Sequence, residues 1–292
     1  MQIGSKALTW INKQLPREFT GFTLHSVTDA KREIDRGNER LLRTAEENWQ
    51  LMIEQEDVER MFTNLRKVAI PTRVRLTLEE AGKLTAGRGG RRKCVTVMRD
   101  GKKFEGVKWG ADPRNEDDRV VEFEMIIRVV EFDLAHNFGA LGGTIYEQMG
   151  GCPIGGLLSA IYANIYCAFD ERNFCARWSH VRHLFFGLRQ MDDFIFVILL
   201  NQGSEEEMEE LLKMRKDARY NLYTEGPQSG VENKISWLGK STRVCAGMQL
   251  RVEDTGVVCR THNKNEESII LHDEQRSHGT HPGLATKTME YA

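Results

Sequence analysis

The chain has 292 residues, 40% of them hydrophobic and 29% charged, enough apolar material for one large core or two modest ones and too much for global disorder. Its 41 basic and 43 acidic residues leave a formal charge of −2, so a nucleic-acid groove would have to arise by segregating charge rather than from a basic excess. No segment approaches the roughly 18 consecutive apolar residues of a membrane span.

Met1-Gln2-Ile3-Gly4-Ser5-Lys6 lacks the apolar core of a signal peptide. The expectation is an intracellular chain, nuclear or cytoplasmic, not secreted and without membrane association. Cys94, Cys152, Cys167, Cys175, Cys245 and Cys259 show no CxxC spacing, which points to reduced thiols rather than a zinc site or a disulfide framework.

Residues 1–50 carry a helical charge pattern around Lys31-Arg32-Glu33 and Arg40-Leu41-Leu42-Arg43. A strand is expected to follow from about 51. Gly87-Arg88-Gly89-Gly90-Arg91-Arg92-Lys93, with Lys83 nearby, is a flexible basic segment; it suits either contact with phosphates or a solvated insertion loop. Asp100-Gly101 reads as a tight hairpin turn between Val95/Val97 and Phe104/Val107. Phe123, Ile126, Ile127 and Val130 keep a helical period that carries on to Asp133.

From Gln148 to Ser159, glycines and a proline feed directly into a helix whose apolar positions are Ile161, Tyr162, Ile165, Tyr166 and Phe169. Gly151, Gly155 and Gly156 remove side chains where a backbone must pass close to something else. The start of the helix presents free amide groups and a positive dipole end. An incoming base pair or phosphate fits such a place, and so does a simple helix entry.

Gln190-Met191-Asp192-Asp193 then lies between Phe185-Phe186-Gly187-Leu188 and Phe194-Ile195-Phe196-Val197-Ile198, setting two adjacent carboxylates at a turn between apolar strands. Desolvating an unpaired carboxylate costs about several kcal/mol unless a cation offsets it, and a divalent metal does so. An ordinary hairpin with an acidic tip is the plainer reading of the pair taken alone.

Ser204 and Glu207 form a capping-box signature for a helix whose Met208, Leu211 and Leu212 face inward, with Glu205, Glu206, Glu209 and Glu210 outward. Asn221 to Ser229 is loop-like and leads to Lys234-Ile235-Ser236-Trp237. Residues 251–292 read as a polar and flexible tail, in which His272, His278 and His281 are expected to be solvated. No internal repeat, thumb or nuclease domain is visible.

Gln148-x-x-Gly151-x-Pro153-x-Gly155-Gly156-x-x-Ser159, followed by Arg189-Gln190-Met191-Asp192-Asp193, resembles motifs B and C of reverse transcriptases, most nearly those of Penelope-type retroelements. Glu131 to Phe138 running into Gly142-Gly143-Thr144-Ile145-Tyr146 is similar to the helix and hairpin before motif B in that family, and Trp237-Leu238-Gly239 to a short strand beyond motif D. Motif A needs an Asp at a strand end with an aromatic residue five positions later. Asp57-Val58-Glu59-Arg60-Met61-Phe62-Thr63-Asn64-Leu65 meets that pattern. Asp100 has its aromatic at the wrong distance, and Asp133 sits too near motif B within a helical period. The resemblance covers roughly residues 20 to 250.

The resemblance implies an α+β palm over 51–250 with an antiparallel sheet and packed helices, interrupted by an inserted hairpin and basic loop at about 83–110. It also implies a partial fingers region over 1–50 and an absent or vestigial thumb. The implied activity is RNA-templated DNA synthesis from deoxynucleoside triphosphates on a DNA primer, by two-metal chemistry with Mg2+ or Mn2+. Asp57, Asp192 and Asp193 would be the catalytic metal ligands, Asp57 and Asp192 bridging and Asp193 more peripheral. Phe62 would lie under the sugar and exclude a 2′-hydroxyl; Gln148, Gly151, Pro153, Gly155 and Gly156 would seat template or nucleotide; Arg88, Arg91, Arg92 and Lys93 would contact nucleic acid.

The sequence departs from the pattern at Glu54-Gln55-Glu56, polar where an apolar strand is expected, at Gln190-Met191, where an aromatic and a small aliphatic residue are common, and at Ile154, where many members carry Gln or Met. A catalytically silent nucleic-acid-binding remnant and an RNA-templated RNA polymerase stand as alternatives, the latter usually having Gly where Met191 stands.

Overall fold

The computed structural model describes residues 1–45, 49–58, 60–86, 92–201, 205–223, 229–230, 242–245, 248–253 and 256–261, with the backbone alone at 27–28, 56–57, 140–141, 201, 219–221, 229–230 and across 242–261 except Leu250 and Val257. Arg88, Arg91, Ser204, Trp237-Leu238-Gly239 and the tail histidines lie outside the described residues.

Three helices open the chain. α1 (Gln2–Gln14) buries Gly4, Ala7, Leu8 and Ile11, one stripe at helical spacing. The short α2 (Arg17–Thr20) leads to α3 (Val27–Leu42), whose first turn is capped by Ser26 Oγ accepting from the Asp29 amide at 3.1 Å. Ala30, Ile34 and Leu41 form the buried stripe of α3.

The central sheet has the order β7-β8-β1-β9 and is antiparallel throughout. Its strands are β1 (Trp49–Val58), β7 (Phe185–Gln190), β8 (Asp193–Asn201) and the two-residue β9 (Ser229–Gly230). Phe194 to Leu200 are all buried, the continuous apolar run of a strand covered on both faces. β1 pairs with β8 without a slip from Trp49↔Asn201 to Asp57↔Asp193.

Between β1 and the next sheet runs α4 (Ile70–Leu84), which sequence patterning had not separated from its surroundings. Pro71 sits in its first turn, where its missing N–H costs nothing, and Ile70, Val74, Leu78 and Ala81 face the core. The insertion is larger than a hairpin. β2 (Cys94–Asp100) and β3 (Lys103–Trp109) turn at Asp100-Gly101 as expected, with Gly101 at φ +55°, and β4 (Arg119–Glu122) pairs on the far side of β2.

α5 (Phe123–Ala135) carries Asp133, and the β5–β6 hairpin (Phe138–Leu141, Thr144–Glu147) turns at Gly142-Gly143. α6 (Ser159–Arg177) is buried on most sides, and α7 (Glu205–Asn221) follows β8. In α7 Leu211, Met214 and Ala218 are the buried residues, whereas Leu212 is 47% exposed, which corrects its expected inward position; 211, 214 and 218 keep the i, i+3, i+7 spacing of one face and 212 does not.

β10 (Thr242–Cys245), β11 (Met248–Glu253) and β12 (Gly256–Thr261) form a separate antiparallel sheet. The flexible tail expected from 251 is therefore corrected: 251–253 and 256–261 are strand, Leu250 and Val257 are buried, and Asn38 of α3 both donates to the Val257 carbonyl (2.7 Å) and accepts from its amide (3.0 Å). Among the described residues no helix is long and apolar enough to cross a membrane.

α3 meets the central sheet through a glycine. A Cβ on Gly37 would lie 2.4 Å from the Phe186 ring, and a ring packed in the core cannot retreat. Gly37→Ala is expected to lose about 1–3 kcal/mol to overpacking, against about 1 kcal/mol gained in helix propensity. The net effect should be a lower urea midpoint with an unchanged slope.

Candidate active site

The acidic turn is built by strand pairing. Gln190 pairs with Asp193 across the β7–β8 hairpin, leaving Met191 and Asp192 as a two-residue loop. Met191 has φ +56°, a left-handed conformation that costs a side-chain-bearing residue about 1–2 kcal/mol. Such strain persists only where surrounding contacts over-determine it.

Those contacts converge on Arg189, the last but one residue of β7, which is fully buried and ion-paired through Nε with the equally buried Glu171 of α6. Arg189 Nη1 donates to the Met191 carbonyl and to Asn164 Oδ1, both at 3.0 Å, and Nη2 donates to Thr23 Oγ1 at 2.7 Å. Glu171 also accepts from the Phe22 amide (2.7 Å) and the Tyr223 hydroxyl (2.9 Å).

The backbone of Phe22 to Leu24 runs beside β7, the Arg189 amide donating to the Phe22 carbonyl and the Leu24 amide to the Arg189 carbonyl, each at 2.7 Å. Gly21, at φ +62°, lets Glu171 approach, since a Cβ there would meet Glu171 Oε2 at 2.4 Å. Burial alone would depress the pKa of Arg189, but the Glu171 carboxylate outweighs it and the net shift is upward. Burial, with Glu171, holds the Tyr223 phenol well above its ordinary range. Both residues stay protonated, and every strong donor points at an acceptor.

Asp57 stands at the end of β1, directly across from Asp193, and the Val58 amide donates to the Asp192 carbonyl at 2.8 Å. The backbones of all three acids therefore meet at one end of the sheet. Asp192 is exposed in the turn and Asp193 half-buried on β8. Carboxylates in this exposure are hard-oxygen donors of the kind that magnesium and manganese take, so Asp192 and Asp193 fit such an ion. Among the described side chains, which do not include that of Asp57, no cluster of three or more His, Cys, Asp or Glu forms a metal cage.

The glycine-rich segment reaches the same place from the other side. After β1 the chain turns, the Met61 amide donating to the Val58 carbonyl, and the Phe62 carbonyl accepts from the Cys152 amide at 2.8 Å. Gly151, at φ +66°, lies so close that a Cβ would fall 2.4 Å from the Phe62 carbonyl oxygen and 2.5 Å from Thr63 Cα. Phe62 is half-buried against the core. The Gln148 amide donates to the Asn137 carbonyl, its side chain to the Gly150 carbonyl, and Lys67 Nζ donates to the Gln148 carbonyl.

Gly155, at φ +84°, meets nothing within 4 Å of a built Cβ, whereas Gly156 is packed against Ser159 and Pro153. Gly151 thus serves a close backbone approach and Gly155 a turn into open space.

Arg92 and Lys93 have other surroundings. Arg92 Nη1 donates to the Trp109 carbonyl at 2.9 Å, and Lys93 lines a cavity of about 670 Å³ with Arg75, Lys83, Phe123 and Ile127, between α4 and α5. Arg92 thus ties the segment before β2 to the end of β3. Glu54, the anomalous acid of β1, is buried and ion-paired with Arg215 of α7, whose Nε donates to Glu54 Oε1 at 2.8 Å. In the sequence Arg189 stands only as a flank of motif C, and Glu171 carries no mark of its own. The available signal was a cation within Phe185-Phe186-Gly187-Leu188-Arg189, since a strand buried on both faces cannot carry one unpaired.

Replacing Glu171 by Gln leaves Arg189 charged and buried beside a neutral amide. A loss of about 3–5 kcal/mol is expected, as for a broken buried pair, read as a fall in the chemical-denaturation midpoint. Gly151→Ala is expected to cost about 2–4 kcal/mol by the same measurement, from left-handed strain plus a backbone clash; Gly155→Ala, with strain alone, should cost about half of that.

No protein-family model and no curated protein matches the chain. Among solved structures, telomerase from Candida albicans in complex with a TWJ fragment of telomeric RNA is similar at a TM-score of 0.61 and 13% identity, with 90% of this chain and 39% of that one covered. Apo telomerase from Candida tropicalis is similar at 0.57 and 12% identity, over 86% of this chain and 39% of that one. A form of the latter truncated from the C-terminal domain gives 0.56 and 13%, over 87% and 44%. The chain spans less than half the length of these neighbours. At such identities the likeness is one of fold: a mixed α/β architecture with antiparallel sheets and packed helices.

Proposed function

We propose that the chain carries the palm of a reverse transcriptase-like nucleotidyltransferase, extending a DNA primer on an RNA template with deoxynucleoside triphosphates. The observation that carries this reading is the meeting of Asp57 with Asp192-Asp193 at one sheet end, joined by the Val58–Asp192 hydrogen bond and flanked by the Phe62–Gly151 contact. The fold shared with telomerase agrees with it.

In this proposal Asp57, Asp192 and Asp193 hold two Mg2+ or Mn2+ ions, which when bound lower the pKa of the primer 3′-hydroxyl and neutralise the triphosphate. The chain's own part is positional. Arg189 holds the Met191 carbonyl, and with it the turn that presents Asp192. Phe62, fixed through its carbonyl to Cys152, closes the sugar side against a 2′-hydroxyl, and Gln148, Gly151, Pro153, Gly155 and Gly156 seat the nascent base pair.

Primer extension on an RNA template tests the reading. Wild type is expected to incorporate deoxynucleotides, and Asp192→Ala to lose on the order of 10³-fold in rate, the scale of removing one charge-stabilising group. Phe62→Ala is expected to admit ribonucleotides that wild type rejects. Equal incorporation by wild type and Asp192→Ala would end the polymerase reading, and a wild-type preference for ribonucleotides would reassign it to RNA synthesis.

A further inference from the structure

The inserted sheet β2–β3–β4 meets the first turns of α1 around a cavity of about 260 Å³, lined by Met1, Gln2, Ile3, Lys6, Val97, Arg99, Lys102 and Phe104. Its charged lining is wholly basic. Lys6 Nζ stands 5.1 Å from the centre of the Phe104 ring, and that ring is 42% exposed. Lys103 follows at the exposed hairpin end.

Most carboxylates of this insertion are engaged elsewhere, and Asp100 stands exposed at the hairpin end across from Lys103. Asp118 and Glu105 pair with Arg114, Asp112 pairs with Lys108, and Asp117 accepts from the Gly101 amide. Among the described residues, the side chains of Lys6, Arg99 and Lys102 have no carboxylate partner. In a chain of net charge −2, the insertion thus gathers an excess of cations around one exposed aromatic face.

We infer that this groove binds single-stranded nucleic acid, with Lys6, Arg99 and Lys102 on the phosphates and a base stacked on Phe104. Cations that track a backbone beside an aromatic platform are how strands are held without sequence preference. The cation–π contact pre-orients Lys6 beside the ring, so a base and its adjoining phosphate meet both at once. The same helix touches the candidate active site: Ser5 Oγ donates to the Leu157 carbonyl at 2.7 Å, at the exit of Gly155-Gly156. The polymerase reading enters only in taking the polyanion to be a strand on which the chain works. In the basic segment singled out in the sequence Arg92 donates to the Trp109 carbonyl, and this groove offers phosphate contacts apart from that segment.

The test is fluorescence anisotropy of a labelled single-stranded oligonucleotide, without divalent metal, over a series of salt concentrations. Lys6→Glu/Arg99→Glu/Lys102→Glu is expected to bind at least tenfold more weakly, with the slope of log affinity against log salt shallower by about 2, as for three lost single-strand phosphates. Phe104→Ala is expected to weaken binding by about five- to hundredfold, the range of one lost base stack, with the slope unchanged.

Thermal unfolding shows whether the triple variant folds; if it does not, Lys102→Glu at the hairpin turn carries the test, with about one third of the slope change. Unchanged affinity and slope in the folded variants would overturn the inference. So would wild-type capture of phosphatidylserine vesicles in preference to the oligonucleotide. Because binding is read without catalysis, a silent primer-extension assay leaves this result standing, and lost binding leaves the Asp192 comparison standing.

Discussion

The buried ion pair between Arg189 and Glu171 is the interaction on which the arrangement of the acidic turn depends. Taking both charges out of water costs about several kcal/mol per ion, and an apolar pair of the same volume would fold at lower cost. What the pair adds is direction. One guanidinium ties the Met191 carbonyl, Asn164 of α6 and Thr23 together, while its carboxylate partner ties the Phe22 amide and the Tyr223 hydroxyl. Four separate stretches of chain are thereby fixed to the Arg189–Glu171 pair. The left-handed Met191, worth about 1–2 kcal/mol of strain, is small against that network, so the turn keeps a shape its own residue would not choose.

Legibility in the sequence followed how local each signal was. The two apolar runs around Asp192-Asp193, the Asp100-Gly101 turn, the helical period ending near Asp133 and the glycines before Ser159 all declare themselves within a few residues, and each is present as expected. Sequence patterning does not single out α4, although Pro71 in its first turn is an entry signal. β4 was missed because four residues give too little alternation to count, and Leu212 because it shares its apolar character with Leu211 but not its face. The partner of Arg189 was not legible at all: Glu171 lies in the middle of a helix and nothing local marks it as a strand's counter-ion.

Net charge says little about this surface because much of its acid is already spent. Asp118, Glu105 and Asp112 are held by Arg114 and Lys108 within the insertion, Asp170 by Arg73, and Glu209 and Glu210 by Lys213. A near-balanced total is then compatible with local fields of one sign, because exposed charges more than about 10 Å apart are largely screened in salt. Counting residues measures the sum, whereas a polyanion responds to the part left over in one place.

The acids before Asp57 carry the last step. β8 is apolar on both faces from Phe194 to Leu200, so alternation along it does not choose between registers as it does in a strand with one wet face. A slip of one residue would carry the Asp57 backbone away from its place across from Asp193. Glu54 removes that degeneracy. It is buried, and its carboxylate is matched to Arg215 of α7, so a slipped strand would leave both charges unpaired at a cost of about several kcal/mol. A residue that looks foreign to the strand on composition thus helps set where β1 stops along β8, and with it the meeting of the Asp57 and Asp192-Asp193 backbones.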